Sequence, residues 1–261
     1  MTKNALKKLF HNSEFPLSNK YDPEWIVKYE MGPHPLWITE SLTQVLPLRK
    51  GMRVLDLGCG GALTSIFLAR EFEVEVWATD LWVSAKDNLQ RIQAEKLEQQ
   101  VYPIHAEAHD LPFAHGFFDA VVSMDSYHYY GTDVHYLEYI TKFLKPAGYL
   151  GIVSPASREQ LPLPNSYPEW LYFMNSIDWW KHHWQRFPGI DVKHVDELPN
   201  GWQHWLRWEK ILRESKLELA WHNSKEPIFA SLLEKDQGKH LGFVRMVGQK
   251  NRWGNTPVNQ Q

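Results

Sequence analysis

The sequence predicts an α/β protein with a doubly wound, mostly parallel sheet of seven strands, helices on both faces and an aromatic-rich helical cap. Short apolar runs alternate with amphipathic segments between residues 54 and 153, at the spacing of strand–helix–strand units. A glycine-rich stretch directly follows the first of these runs. Eight of the 13 tryptophans lie between Trp170 and Trp221, outside that alternation.

Composition restricts the class of protein. The chain has 261 residues, of which 43% are hydrophobic and 23% charged, which is ordinary for a globular protein with one domain or two small ones. The net charge of -3 and the lack of a basic block argue against a nucleic-acid partner. No run of about 18 apolar residues is present, so we expect no membrane-spanning segment.

Cysteine content and the first residues predict the compartment. Cys59 is the only cysteine, which rules out an internal disulfide and fits a reducing environment. The first residues lack the apolar run of a signal peptide. The sequence therefore predicts a cytoplasmic protein.

The elements follow from apolar spacing along the chain. Residues 1–20 are polar and mixed and are expected to be poorly ordered, whereas 22–46 predict one or two helices interrupted at 32–35. Strands are expected at 54–57, 74–79, 101–106, 118–124, 149–153, 191–195 and 241–247. Helices are expected after the glycine-rich stretch and at 84–98, 134–143, 202–217 and 228–234.

The glycine-rich stretch runs from Asp56 to Gly61 (DLGCGG), between a strand and a helix. Glycines there let the backbone turn sharply and approach a ligand, because no Cβ intrudes. A dinucleotide site would need a third glycine where Leu63 stands, and Asp56 would repel a pyrophosphate. The carboxylate of Asp56 can instead pair, directly or through water, with the ammonium of an amino-acid cofactor.

The stretch DLGCGG resembles the first motif of class I, Rossmann-like S-adenosylmethionine (SAM)-dependent methyltransferases. Four later parts of the chain resemble the next motifs of the family, in the same order. They are Asp80 at the end of the second strand and residues 105–113, 117–124 and 144–148. The similarity covers roughly residues 50–154 and implies SAM as the cofactor. We expect one methyltransferase domain over 1–261, divided into an N-terminal helical segment (1–46), a SAM-binding core (47–154) and a cap with the C-terminal strands (155–261).

The resemblance also implies which residues bind the cofactor. Asp80 would hold the two ribose hydroxyls, and Leu81 and Trp82 would flank the adenine. Glu107 would accept a hydrogen bond from the adenine amine, and the backbone of Ala108 would face a ring nitrogen. The remaining candidates for cofactor contacts are Asp56, Gly58, Cys59, Gly60 and Met124. We expect Cys59 to be a small packing residue and not a nucleophile.

The segment after the fourth strand is the predicted reaction site, because ligands of open α/β sheets bind at the carboxyl ends of the strands. His128 has the ordinary pKa of a general base, and Asp125 can orient an ammonium or that histidine. Tyr127, Tyr129 and Tyr130 can hydrogen-bond the acceptor or exclude water. The alternative interpretation is that several of these aromatic side chains belong to the core.

A metal site is not predicted. His105 and His109 have the i, i+4 spacing that places two ligands on one face of a helix, but they straddle a strand end and a loop. No cysteine cluster supplies the further ligands that zinc needs.

The tryptophan-rich segments are interpreted mainly as packing, with one or two side chains reaching the acceptor pocket. Trp202, Trp205 and Leu206 have the helical spacing of core residues. Tyr29 and Trp37, from the N-terminal segment, are further candidates for the pocket.

The predicted function is transfer of a methyl group from SAM to a nitrogen, oxygen or sulfur atom of a small polar metabolite, with no nucleic-acid or membrane partner. Three alternatives stay open: a SAM-binding sensor or subunit without turnover, an enzyme that alkylates a lipid carbon, and a nucleotide-dependent oxidoreductase. The lack of a membrane-docking stretch argues against the second, and Leu63 against the third.

Overall fold

The computed structural model describes residues 3–161, 171, 174–215, 217 and 229–251. The strands are β1 (Arg53–Leu57), β2 (Glu75–Asp80), β3 (Val101–His105), β4 (Phe118–Met124), β5 (Leu144–Ser157), β6 (Ile190–Glu197) and β7 (Leu241–Lys250). The helices are α1 (Lys3–Phe10), α2 (Pro23–Tyr29), α3 (Pro35–Thr43), α4 (Leu63–Phe72), α5 (Ala85–Ala94), α6 (Tyr136–Thr141), α7 (Ile177–Gln185), α8 (Gly201–Ser215) and α9 (Ala230–Asp236).

The seven strands form one sheet in the order β3-β2-β1-β4-β5-β7-β6. Strands β1 to β5 pair in parallel, and β7 runs antiparallel to both β5 and β6. The predicted fold class is confirmed. The order reverses at β1, because β2 lies on one side of it and β4 on the other, and this reversal creates the crevice in which such sheets bind ligands.

Both faces of the sheet are covered, which explains why the central strands read as continuous apolar runs. Val54 and Leu55 are neighbours on β1 and are fully buried on opposite faces. Val54 belongs to the core cluster that includes residues of α3 and α4, and Leu55 to the cluster that includes residues of α6 and α7.

The first 20 residues differ from the prediction of poor order. Over the described residues, α1 packs against α8, with the ring centroids of Phe10 and Trp208 5.4 Å apart. Leu6, one helical turn before Phe10, is 1% exposed. The buried carboxylate of Glu40 accepts hydrogen bonds from the backbone N–H groups at 17 and 18. Long-range packing therefore gives a defined structure to a segment whose own composition predicts poor order.

The described tryptophans of α7 and α8 are mainly core residues, as the packing interpretation predicts. Trp180 and Trp184 of α7 are fully buried on one face of the sheet, whereas Trp205 and Trp208 of α8 are buried elsewhere. Helix α7 was not predicted individually, although Ser176 caps it by accepting the N–H of residue 179. Two tryptophans of the predicted cap, Trp170 and Trp221, lie outside the described residues.

Arg245 joins the C-terminal strands to α3. Its guanidinium donates two hydrogen bonds to Asp196 on β6, at 3.0 and 2.6 Å, and a third to the carbonyl of Ser41 at 2.8 Å. The side chain of Arg245 is only 7% exposed, so this cation depends on Asp196 for its charge partner. Within the described residues, no helix is long and apolar enough to cross a membrane.

Replacing Asp196 with asparagine is predicted to lower the free energy of unfolding by about 2 kcal/mol, because it leaves the Arg245 guanidinium without its countercharge. The control is Asp191→Asn on the same strand, which removes an exposed ion pair with Lys193 at 3.3 Å. We expect it to change the free energy of unfolding by less than about 0.5 kcal/mol. Urea unfolding measures both. Equal effects of the two substitutions would contradict the importance of the Arg245 pair.

Candidate active site

A cavity of about 330 Å³ lies at the carboxyl ends of the parallel strands. Its wall includes the last residues of β1, β2 and β4, namely Leu57, Asp80 and Met124, together with residues just after β3. This is the point at which the strand order reverses, where an open α/β sheet is expected to bind its ligand.

The glycine loop at 58–61 forms the floor of the cavity. Gly58 and Gly60 have left-handed φ angles of 74° and 52°. A Cβ on Gly58 would lie 2.2 Å from Oγ of Ser126, and one on Gly60 would lie 2.8 Å from Sδ of Met31. The loop therefore requires glycine both for its conformation and for close approach.

Asp80 fixes this loop to the end of β2. Its Oδ2 accepts the N–H of Gly60, and its Oδ1 accepts the N–H groups of Trp82 and Val83, each at 2.8 Å. The carboxylate lines the cavity. Its role toward ribose hydroxyls stays a prediction, and its position fits that role.

Leu81 and Trp82 line the mouth of the cavity beside Asp80 and are 49% and 68% exposed. Glu107 and Ala108 line the wall after β3. The carboxylate of Glu107 accepts the N–H of His109 and lies 2.8 Å from its Nδ1. These bonds lower the pKa of Glu107 despite an opposing effect of burial, so this carboxylate already has a partner within the chain.

Asp56 does not line the cavity, which corrects the prediction of a direct contact with the cofactor. The side chain is fully buried, and its Oδ2 accepts the hydroxyls of Thr64 and Ser65 at 2.5 and 2.6 Å. Burial is the main cause that raises the pKa of Asp56 to about 6. Its effect on the cavity passes through Thr64, which does line the wall; a contact through water stays a prediction.

Tyr127 is also not in the cavity wall, so its predicted catalytic role is wrong. The residue is fully buried in the core cluster shared with α6 and α7. Its ring centroid lies 5.7 Å from that of Trp180 and 5.9 Å from that of Trp184. The alternative interpretation of an aromatic core residue holds for this position.

His128 is buried beside β5, and the structure contradicts its predicted role as a general base. Its Nδ1 lies 2.9 Å from Oγ of Ser154, the side chain is 5% exposed, and it is not among the residues that line the cavity. Burial lowers the pKa of His128 to about 3. A histidine with this pKa stays neutral near pH 7 and is a weak proton acceptor.

Asp125 is the one residue of the three predicted catalytic positions that lines the cavity. Its backbone has a left-handed φ of 53°, and its N–H donates to the carbonyl of Val153 at 2.8 Å. Tyr129 and Tyr130 line the same wall. The hydroxyl of Tyr130 hydrogen-bonds Ser123 and Ser126 at 2.9 Å, so it is tied to the strand ends.

The segment between α2 and α3 covers the glycine loop, and the sequence indicated it only in part. Tyr29 lines the cavity as predicted, and it is joined by Met31, Gly32 and Pro33, which were not predicted. Trp37 is 2% exposed and lies outside the wall, so its prediction is wrong. In the sequence, the GPHP turn at 32–35 indicated a loop in this segment but not that the loop lines the cavity.

The histidines proposed and rejected as metal ligands have other partners. His105 Nε2 lies 2.8 Å from the carbonyl oxygen of Leu81, and His109 pairs with Glu107. Among the described residues, no group of three His, Cys, Asp or Glu side chains could hold a metal ion. Cys59 is a buried free thiol, and burial raises its pKa well above the usual range, which does not favour a nucleophile.

Residues 54–148 match the family model for the methyltransferase domain. The match covers 95 of the 261 residues, and over this segment the chain is similar to methyltransferase domains. The resemblance seen in the sequence motifs is confirmed, and SAM is the cofactor of this class.

Curated relatives of the methyltransferase domain share about a third of its residues. The chain is 31% identical over 132 residues to 27-O-demethylrifamycin SV methyltransferase of Amycolatopsis mediterranei, covering 47% of each chain. It is 33% identical over 143 residues to a ubiquinone biosynthesis O-methyltransferase of Ruegeria pomeroyi, covering 52% of this chain and 54% of that one. The chain thus spans about half the length of these curated relatives.

Solved structures share the fold at lower identity. A putative sarcosine dimethylglycine methyltransferase from Galdieria sulphuraria superposes with a TM-score of 0.67 at 19% identity, covering 83% of this chain and 84% of that one. Phosphoethanolamine N-methyltransferase 2 of Haemonchus contortus, solved with SAM, gives 0.71 at 20% identity, covering 95% of this chain and 60% of that one.

Substituting Gly60 with valine is predicted to abolish SAM binding, because the side chain would fill the floor of the cavity against Met31. The control is Gly116→Val, since Gly116 has a similar φ of 65° but no atom within 4 Å of an added Cβ. Both variants carry the backbone strain of a left-handed residue, and only the first blocks the site. Calorimetric SAM titration distinguishes them; equally tight binding by both would show that the loop does not meet the cofactor.

The buried state of His128 predicts an acid-dependent loss of stability. The unfolded state takes up a proton below pH 6.5, whereas the folded state does so only near pH 3, so the free energy of unfolding falls as the pH drops through this window. At pH 5 the loss due to this residue is about 2 kcal/mol.

Unfolding of His128→Asn at pH 7 and pH 5 measures that loss, because the variant has no imidazole to protonate. The control is His135→Asn, which replaces an exposed histidine and should leave the acid dependence of the wild type unchanged. An equal acid dependence in wild type and His128→Asn would contradict a buried neutral His128.

Proposed function

We propose that this chain transfers a methyl group from SAM to a nitrogen, oxygen or sulfur atom of a small polar metabolite. The observation that carries the proposal is that one cavity combines the glycine loop and Asp80 with the wall formed by Asp125 and the tyrosines. The first set suits the cofactor, and we assign the second set to the acceptor.

The cofactor half of the cavity fits SAM. Gly58 and Gly60 give a backbone cradle that a Cβ would fill, and Asp80 presents a carboxylate at the end of β2. We propose that Leu81 and Ala108 contact the adenine and that Asp80 binds the ribose hydroxyls. When bound, SAM supplies an electrophilic methyl group on a sulfonium.

The contribution of the chain is mainly positional. Asp125, Tyr29 and Tyr129 line the side of the cavity next to the glycine loop and Met124. Holding an acceptor atom in line with the methyl group supplies a large part of the acceleration of such a displacement. The segment 29–33 covers the glycine loop and limits the access of water to it.

We further propose that 1–261 works as one methyltransferase domain in the cytoplasm, with 1–46 and 155–261 completing the core at 47–154. Packing of α1 against α8 supports the single domain. The buried free thiol of Cys59 is consistent with a reducing compartment. We also infer that the partner is a small-molecule acceptor, without nucleic acid or membrane.

Incubation of the protein with SAM and a pooled metabolite library tests the proposal through the formation of S-adenosylhomocysteine. Turnover that depends on one pool supports a methyltransferase and identifies its acceptor. SAM binding without turnover in every pool would favour a sensor or a subunit and contradict the proposal.

The Asp80→Ala variant links turnover to the cavity. It removes charge-assisted hydrogen bonds to ribose worth about 1.5–3 kcal/mol each, so SAM affinity should fall at least tenfold. The control is Asp110→Ala, which removes an exposed carboxylate outside the cavity wall. Calorimetry with circular dichroism separates lost binding from lost fold, and unchanged affinity in Asp80→Ala would remove Asp80 from the cofactor site.

A further inference from the structure

Asp125 places an acidic side chain in the cavity wall immediately after β4. Its Oδ2 lies against Gly32, where an added Cβ would be 2.3 Å away. Within the residues that the structure describes, the carboxylate forms no hydrogen bond and no pair with a lysine or arginine. Asp125 is half-buried. A partly desolvated carboxylate without a partner in the chain favours a cationic ligand, because the cation replaces the solvation that the wall removes.

Glu30 adds a second acidic group on the other side of Gly32. It is 1% exposed, and its Oε2 accepts the N–H of Gly32 at 2.9 Å. Burial raises the pKa of Glu30 to about 7, with a further contribution from the charge of Glu209. Burial and then the charge of Glu30 raise the pKa of Asp125 well above its usual range. The two acids thus repel each other when ionised, and a cation between solvent and Asp125 would relieve that repulsion.

The rest of the wall also favours a cation. Among the described residues that line the cavity there is no lysine or arginine, whereas Asp80 and Glu107 add two more carboxylates. Trp82 and Tyr129 line the mouth with their ring centroids 5.9 Å apart. Aromatic faces attract ammonium groups, and an anionic acceptor would find no guanidinium or ammonium partner here.

We propose that the methyl acceptor is an amine that binds as its ammonium ion against Asp125, with the rings at the mouth completing the cation site and the buried charge of Glu30 acting from behind Gly32. This inference rests on the proposed methyltransferase function and adds the chemical class of the acceptor.

The proton balance of the reaction assigns a second task to Asp125. An ammonium nitrogen has no lone pair, so it must first give one proton to the Asp125 carboxylate. The freed lone pair then forms the N–C bond while the C–S bond of the sulfonium breaks, and the electron pair of that bond stays on sulfur. The products are the methylated ammonium ion, S-adenosylhomocysteine and one proton, which Asp125 releases to water.

Calorimetric titrations of the full chain, saturated with S-adenosylhomocysteine, test the acceptor class. The probes are two matched sets of an amine, an alcohol and an acid: tyramine, tyrosol and 4-hydroxyphenylacetate, and ethanolamine, ethylene glycol and glycolate. We expect at least one amine to bind ten times more tightly than its alcohol and acid. Asp125→Asn should lower that amine affinity at least tenfold, while SAM affinity stays within threefold.

Two further variants complete the experiment. Glu30→Gln should weaken amine binding by a smaller factor than Asp125→Asn, because Glu30 acts across Gly32. Asp133→Asn removes one negative charge from an exposed site outside the cavity wall and should change nothing. The retained SAM affinity of Asp125→Asn shows that the variant is folded.

Several results would overturn the amine proposal. They are the absence of binding by every amine, tighter binding of the alcohols or acids, and a tenfold loss of SAM affinity in Asp125→Asn, which would assign Asp125 to the cofactor. Turnover of a neutral or acidic acceptor in the pooled library would refute the amine class and leave the methyltransferase function intact. No turnover in any pool would refute the function, and the binding comparison would still decide whether the cavity selects amines.

Discussion

The hydrogen bonds that fold the glycine loop onto the end of β2 are the constraint on which the rest of the site depends. The N–H groups of Gly58 and Cys59 donate to the carbonyl of Thr79 at 2.8 and 3.1 Å, and Gly60 donates to Asp80. These bonds form because two residues of the loop adopt left-handed conformations that glycine permits without strain. Ser126 and Met31 then approach the loop at distances that a side chain on either glycine would prevent.

The second half of the site depends on contacts between distant parts of the chain. The indole N–H of Trp208 on α8 donates to the carbonyl of Gly32 at 2.8 Å. Gly32 in turn donates to Glu30 and packs against Asp125. A helix near residue 208 therefore positions a loop near residue 32 beside Asp125, which follows the strand that ends at 124.

Local patterns in the sequence predicted the fold and brought the glycine loop and Asp80 to the cavity wall. The glycine loop and Asp80 follow their strands directly, so their placement is set by the strand ends alone. Tyr127 and His128 were assigned to the cavity on the same reasoning, but these two side chains of a short 3-10 turn enter the core, whereas Tyr129 of the same turn lines the cavity. The packing of that turn against α6, α7 and β5 decides which way the side chains of Tyr127 and His128 point. The spacing of apolar and polar residues within 125–131 does not indicate this direction.

The N-terminal segment shows the same limit at larger scale. Glu30 and Gly32 lie in a stretch whose sequence indicates only an interrupted helix, and their relation to Asp125 comes from contacts across nearly 100 positions. Asp56 directly precedes the glycine loop in the sequence, but its carboxylate accepts the hydroxyls of Thr64 and Ser65 on α4 and does not reach the cavity.

The division of the cavity wall between near and distant parts of the chain has a consequence for divergence among related proteins. The proposed cofactor half is formed by one continuous stretch from the glycine loop to Ala108, whereas the proposed acceptor half draws on α2 and the loop before α3, to which the indole of Trp208 on α8 is hydrogen-bonded. Under the proposed function, exchange of the flanking segments would alter which acceptors fit and would leave the proposed cofactor half intact. Substitutions at Trp208, which never touches the cavity, are then a route to new acceptor preference through the displacement of Gly32.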